Sequence, residues 1–142
     1  MIRPGPLQRI QRIRARLTAG SPLAPEDAAI LVKAIDAAIA TGATIEMGLG
    51  LAPGWGSVLR RRARLSALQA LSAIDEPDAG TRAFARQISR ELALYAARQF
   101  RADQRSAQPP SGRSGMFFQL LVSNGGRVPS AESIRKILDL AG

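Results

Sequence analysis

A chain of 142 residues has room for one compact domain with a short tail, which excludes two independent enzyme domains. Cys and His are both absent, which removes thiol chemistry, imidazole general-base catalysis and the standard zinc sites. Hydrophobic residues make up 46% and aromatics only 4%, so the core must come from Ala, Leu and Ile, while 20 Lys plus Arg against 11 Asp plus Glu leave +9, a charge that attracts polyanions.

In chain order, Met1 to Leu17 carries five Arg and no uninterrupted apolar run, so no secretory signal is read there and a cytoplasmic location is expected. Leu7, Ile10, Ile13 and Leu17 recur at three- and four-residue spacing, which predicts a helix with Arg9, Arg12 and Arg16 on its outer side. Gly20 and Pro22 stop it. Pro25 then opens a second helix, with Glu26 and Asp27 in its positive first turn and Leu31, Ile35, Ala38 and Ile39 as its apolar side. Its apolar-looking run, Ala28 to Ala40, is cut by Lys33 and Asp36 and falls short of the approximately 20 residues that span a bilayer. Gly42 ends this helix, and Thr44 caps a short turn through Met47. The stretch Gly48 to Gly56 lacks the preceding strand of a phosphate-binding loop and has Pro53 where that pattern wants Gly; it reads as a connector, with Trp55 plugging the junction.

A helix over about Gly56 to Ile74 follows, with Leu59, Leu65, Leu68 and Leu71 spread widely enough to meet neighbours on more than one side. Arg60, Arg61, Arg62 and Arg64 point in different directions, and at least one is expected to pair with a core-edge carboxylate. After an acidic break at Asp75, Glu76, Pro77 and Asp78, the clearest segment runs from about Ala79 to Arg105. Phe84, Ile88, Leu92 and Tyr95 cluster within roughly 80 degrees, and Arg82, Arg86, Arg90, Arg98, Arg101 and Arg105 occupy the other half of the wheel. Leu94 and Phe100 fall among these arginines, so another helix is expected to cover part of that side. The segment carries +4, and its i,i+4 arginines repel one another, a cost that an anionic partner would relieve. Arg outnumbers Lys 18 to 2; an alanine-rich, GC-rich composition explains that without function, and the guanidinium fork that grips phosphate explains it with function.

Ser106 to Gly115, with Pro109, Pro110, Gly112 and Gly115, reads as a linker. Met116 to Ser123 reads as a short apolar helix, Asn124 to Gly126 as a turn, and Ser130 as the cap of a last helix. The expected architecture is all-α: a single compact domain of five to six helices, with a helical core over 1–105, a linker over 106–115 and a C-terminal helical hairpin over 116–142.

The segment Met116 to Leu138, with its apolar first helix, the Gly125-Gly126 turn, Arg127-Val128-Pro129 and then Ser130, Ile134, Arg135, Lys136, Ile137 and Leu138, resembles a helix-turn-helix. The resemblance implies a recognition helix whose groove-facing residues are Glu132, Ser133, Arg135, Lys136 and Asp139. Against it, Glu132 is spaced to pair with Lys136 and Arg135 with Asp139, and Ile134, Ile137, Leu138 and Ala141 serve a packing or dimer-forming hairpin equally well. The whole chain looks like short proteobacterial proteins of prophage and other mobile regions, which implies a cytosolic, non-enzymatic accessory role.

No catalytic constellation is visible. The one acidic cluster, Asp75, Glu76 and Asp78, sits in a Pro-containing break where acids cap helices, and no cofactor or metal is implied. The reading is therefore a nucleic-acid-binding protein, with DNA ahead of RNA, that uses phosphate contacts from Arg82, Arg86, Arg90, Arg98 and Arg101, helped by Arg9, Arg12 and Arg16, with any sequence readout confined to Arg135 and Lys136. The alternative is a helical adaptor that binds an acidic protein or self-assembles as a homo-oligomer; association with anionic lipid is a third reading.

Overall fold

The computed structural model describes residues 5–51, 54–75 and 80–141. Glu76, Pro77 and Asp78 of the acidic break, and Pro53 of the glycine-rich stretch, lie outside them. Every regular element among the described residues is a helix, and there are eight: α1 (Pro6–Ala19), α2 (Pro25–Thr41), α3 (Ile45–Gly48), α4 (Ser57–Asp75), α5 (Gly80–Arg98), α6 (Phe100–Arg105), α7 (Gly112–Ser123) and α8 (Ala131–Ala141). Two more helices are present than the upper expectation of six, because the turn after Thr44 is helical and the long basic helix is broken. No helix among the described residues is long and apolar enough to cross a membrane.

The chain divides into two compact units, Met1–Trp55 and Gly56–Gly142. In the first, Pro6 and Pro25 open α1 and α2 at the positions where a missing N–H costs nothing. Gly42 closes α2 at φ 71°, a left-handed value that a side chain disfavours. Thr44 Oγ1 accepts a hydrogen bond from Met47 N at 3.4 Å, which caps α3. The helix α3 lies on α2 through Gly48, where a Cβ would stand 2.7 Å from the Cα of Ala34; only glycine permits that approach. The buried side chains of this unit are few: Ile13, Asp27, Ala34 and Leu51 among the described residues. Leu7, Leu17, Ile35 and Ile39, which the spacing assigns to apolar sides, are exposed. Trp55, expected as a plug, is 38% exposed.

In the second unit, α4 and α5 each pack on both α7 and α8. This is the many-sided contact that the leucine distribution along α4 predicts. Leu68 and Leu71 of α4, Phe84, Ile88 and Leu92 of α5, Leu120 and Leu121 of α7 and Ile134 of α8 form one core. Each such side chain removed from water contributes about 1.5–3 kcal/mol. The expected C-terminal hairpin takes a different form: α7 lies chiefly on α4, and α8 chiefly on α5, because their apolar residues fit those two long helices.

The helix expected to run unbroken to Arg105 breaks at Gln99, whose φ of −125° leaves the helical range. The break turns Phe100 inward, so it meets Tyr95 at 6.2 Å and Phe118 at 5.7 Å between ring centroids. Phe100 is therefore buried by a bend in its own chain and covered by Phe118 of α7, as expected of another helix, while Leu94 stays exposed. Tyr95 donates its hydroxyl hydrogen bond to Asp103 across the break, and burial with that bond raises the phenol above its ordinary range.

Helix α7 starts at Gly112, four residues before the expected Met116, so the second half of the Pro/Gly-rich stretch is helical. If the shared core governs stability, Leu92→Ala will cost about 2–5 kcal/mol in chemical denaturation. Leu94→Ala, two residues on and exposed, will stay within about 0.5 kcal/mol.

Candidate nucleic-acid interface

Arg82, Arg86 and Arg90 lie on α5 at four-residue intervals, so their Cα atoms span about 12 Å along one side of the helix. All three are exposed, and among the described residues none makes a hydrogen bond or ion pair. Their helix is anchored by its opposite side, where Phe84, Ile88 and Leu92 are buried. Arg82 and Arg86 border an open groove of about 280 Å³ whose other wall is the start of α8, with Ala131, Glu132 and Arg135.

The acids that might have neutralised this stripe are engaged elsewhere. Glu91, beside Arg90 on α5, accepts from Arg113 of α7, and the same guanidinium donates to both carboxylate oxygens of Asp75 at 2.7 and 3.1 Å. The Asp75 bonds raise the Arg113 pKa and keep it charged, and the guanidinium also lies 5.3 Å from the Phe117 ring centroid. Glu132 and Asp139 accept from Arg135 at 3.1 and 3.0 Å, and Lys136 lies 4.0 Å from Glu132. The last helix thus pairs its charges internally, as its spacing predicts. Ile134 is fully buried, Ile137 is partly buried against the core, and Lys136 is exposed.

Other sequence-derived candidates separate from this stripe. Arg98 and Arg101 are exposed, but the break at Gln99 lies between them, so Arg101 does not continue the line of α5. Arg9, Arg12 and Arg16 belong to the first unit. Arg12, expected on an outer basic side, instead donates from Nε at 2.7 Å to Asp27, whose side chain is fully buried, and its Nη2 holds the second oxygen. Sequence reasoning took Asp27 for a first-turn acid and missed this pairing. Arg16 donates to the Pro22 carbonyl at 3.0 Å, and Nε of Arg9 is buried without a hydrogen-bond partner among the described residues.

Nothing similar emerges from known proteins. Comparison with protein-family models, curated proteins and solved structures gives no match to this chain.

A second basic concavity was not anticipated. Arg60, Arg64 and Arg127 line an open space of about 510 Å³ beside the turn that follows α7. Arg64 donates to the Ser123 carbonyl at 2.6 Å, and among the described residues none of Arg60, Arg61, Arg62 and Arg64 meets the expected carboxylate. A helix C-terminus presents unpaired carbonyls, and these attracted the arginine instead. Ser89 Oγ donates to the Pro129 carbonyl at 3.1 Å, so the Arg90 end of the stripe is tied to the segment that carries Arg127.

The Asp27 carboxyl is held below the ordinary aspartate range, chiefly by the Arg12 hydrogen bond. A depressed folded-state pKa contributes stability that is complete above the unfolded value, about 3.9, and is lost as pH falls through the folded one. Thermal melts should therefore weaken progressively below about pH 4. Arg12→Gln should melt lower than wild type at neutral pH and show a flatter acid limb, whereas the exposed neighbour Arg14→Gln should follow wild type.

Proposed function

We propose that this protein binds nucleic acid by gripping backbone phosphates with Arg82, Arg86 and Arg90, in an accessory rather than an enzymatic role. The observation that carries the reading is that these three like charges stand at i,i+4 spacing with no ion-pair partner among the described residues. Three arginines so placed repel one another by a few tenths of a kcal/mol per pair, which helix stability alone disfavours. A phosphate backbone relieves that repulsion and accepts the guanidinium forks. The second unit supports the reading as a whole, since it carries fourteen Lys and Arg against seven Asp and Glu. Duplex DNA is the preferred ligand, with Arg127 and Arg60 extending the contact at the α7–α8 turn. Arg135 and Lys136 contribute little in this account, because Glu132 and Asp139 hold them, so binding depends weakly on sequence.

Fluorescence anisotropy with duplex DNA, single-stranded RNA and an acidic polypeptide across a salt series tests this. Wild type should bind the nucleic acids, with log affinity falling linearly in log salt. The triple variant Arg82→Gln, Arg86→Gln, Arg90→Gln should keep or slightly raise its melting temperature, since helix propensity barely changes and repulsion falls. Its salt slope should become shallower by about 2.7 if each arginine meets one phosphate. A stable variant with unchanged affinity and slope would contradict the proposal, and a preference for the acidic polypeptide would favour the adaptor reading.

A further inference from the structure

The concavity beside the turn that follows α7 differs in shape from the open row on α5. Arg60 and Arg64 stand one helical turn apart near the start of α4, Arg127 joins them from the turn, and Val122 and Asn124 lie among the residues between. All of its lining residues belong to the second unit, and none is acidic among the described residues. Arg64 is fixed by its 2.6 Å hydrogen bond to the Ser123 carbonyl, and the turn is braced by the 2.7 Å bond from Asn124 Nδ2 to the Arg127 carbonyl. Arg60 and Arg127 are exposed and make no hydrogen bond or ion pair among the described residues. Two free guanidiniums thus share a concave space with a fixed third, an assembly of like charges that an anion stabilises.

Shape and charge select the anion. A duplex carries its internal phosphates on the outside of a convex cylinder, and each diester has a single charge; an open row of arginines suits these. A phosphate monoester at a strand end projects beyond that cylinder, with three free oxygens and about −1.5 to −2 charge at pH 7, so it fits a concave cluster of guanidinium forks. The space of about 510 Å³ falls within the about 300–1,000 Å³ of small-ligand sites, which leaves room for the end nucleotide as well. Val122, 52% exposed, offers that nucleotide an apolar wall. The row on α5 also leads toward this site: Ser89 Oγ bonds to the Pro129 carbonyl at 3.1 Å, and Arg127 is two residues from Pro129, at most about 7 Å of chain.

We infer that Arg60, Arg64 and Arg127 form a site for the terminal phosphate of a nucleic-acid strand whose internal phosphates lie on Arg82, Arg86 and Arg90. The inference rests on the nucleic-acid reading and adds to it a preference for phosphorylated ends.

Competition binding of the full chain to DNA hairpins with one open end tests it, the end carrying a 5′-phosphate, a 3′-phosphate or hydroxyls only. At about pH 7.5 a phosphorylated hairpin should bind about tenfold or more tighter than the hydroxyl-ended one, and the two phosphorylated arms show which strand end is taken. The preference should shrink at about pH 5, because the monoester, with a second pKa near 6, loses a charge there. The double variant Arg60→Gln, Arg127→Gln, with circular dichroism as the check on folding, should abolish the preference. The triple variant Arg82→Gln, Arg86→Gln, Arg90→Gln should weaken every hairpin alike and keep their ratio. Inorganic phosphate and thymidine 5′-monophosphate, each at the concentration of the hairpin, should not displace it; displacement would make this a site for small phosphates and overturn the assignment to strand ends. Hairpins that bind without an end preference, or with one that the double variant retains, overturn the inference and leave the reading of the α5 row standing. Hairpins that do not bind at all overturn both.

Discussion

The second unit depends on one guanidinium. Arg113, in the first turn of α7, holds Asp75 at the end of α4 and Glu91 in the middle of α5, so a single side chain joins three helices around the shared core. The site is half-buried, where a charge-assisted, bidentate contact is stronger than an exposed pair and where removing either partner strands a charge. Its second effect is electrostatic. Arg113 pairs with Glu91, the one acid on α5, which makes no ion pair with Arg86 or Arg90.

The same logic runs through the remaining described acids of this unit. Asp103 is taken by Tyr95 and Gln99, and Glu132 and Asp139 by Arg135 and Lys136. Each of these contacts is local or structural, and together they leave the arginines of α5 without an ion-pair partner among the described residues. The fold therefore sorts its arginines into those that hold helices and those that face solvent as a field. An uncompensated row of this kind raises the local concentration of polyanions and makes association strongly salt-dependent. The groove between α5 and α8 and the concavity beside the turn that follows α7 give that field a shape.

What was legible in the sequence was what depends on spacing within one helix. The buried side of α5, the capping of α8 by Ser130 and the internal charge pairing of α8 all follow from three- and four-residue intervals. What was not legible depends on contacts between helices. Arg12 and Asp27 are 15 residues apart on different helices, and Arg113 sits in a stretch whose prolines and glycines signal a linker. The break at Gln99 is hidden because the arginine spacing continues through it; the reason for the break is the aromatic cluster of Tyr95, Phe100, Phe117 and Phe118, whose members come from three helices. The sign that a wheel was incomplete was present in Phe100, an aromatic among arginines; the structure answers it with both a bend and a covering helix.

The central claim is that the arginines form two populations, one locked by carboxylates and one free for an anionic ligand. Nuclear magnetic resonance of the arginine guanidinium N–H groups, Nη as well as Nε, tests it most directly, by hydrogen exchange first without ligand and then with a short DNA duplex. The account predicts slow exchange at Arg12 and Arg113, fast exchange at Arg82, Arg86 and Arg90, and duplex-induced shifts and protection confined to the fast set. Fast exchange at Arg113, or a duplex that perturbs Arg12 and Arg113 while leaving Arg82, Arg86 and Arg90 unmoved, would contradict it.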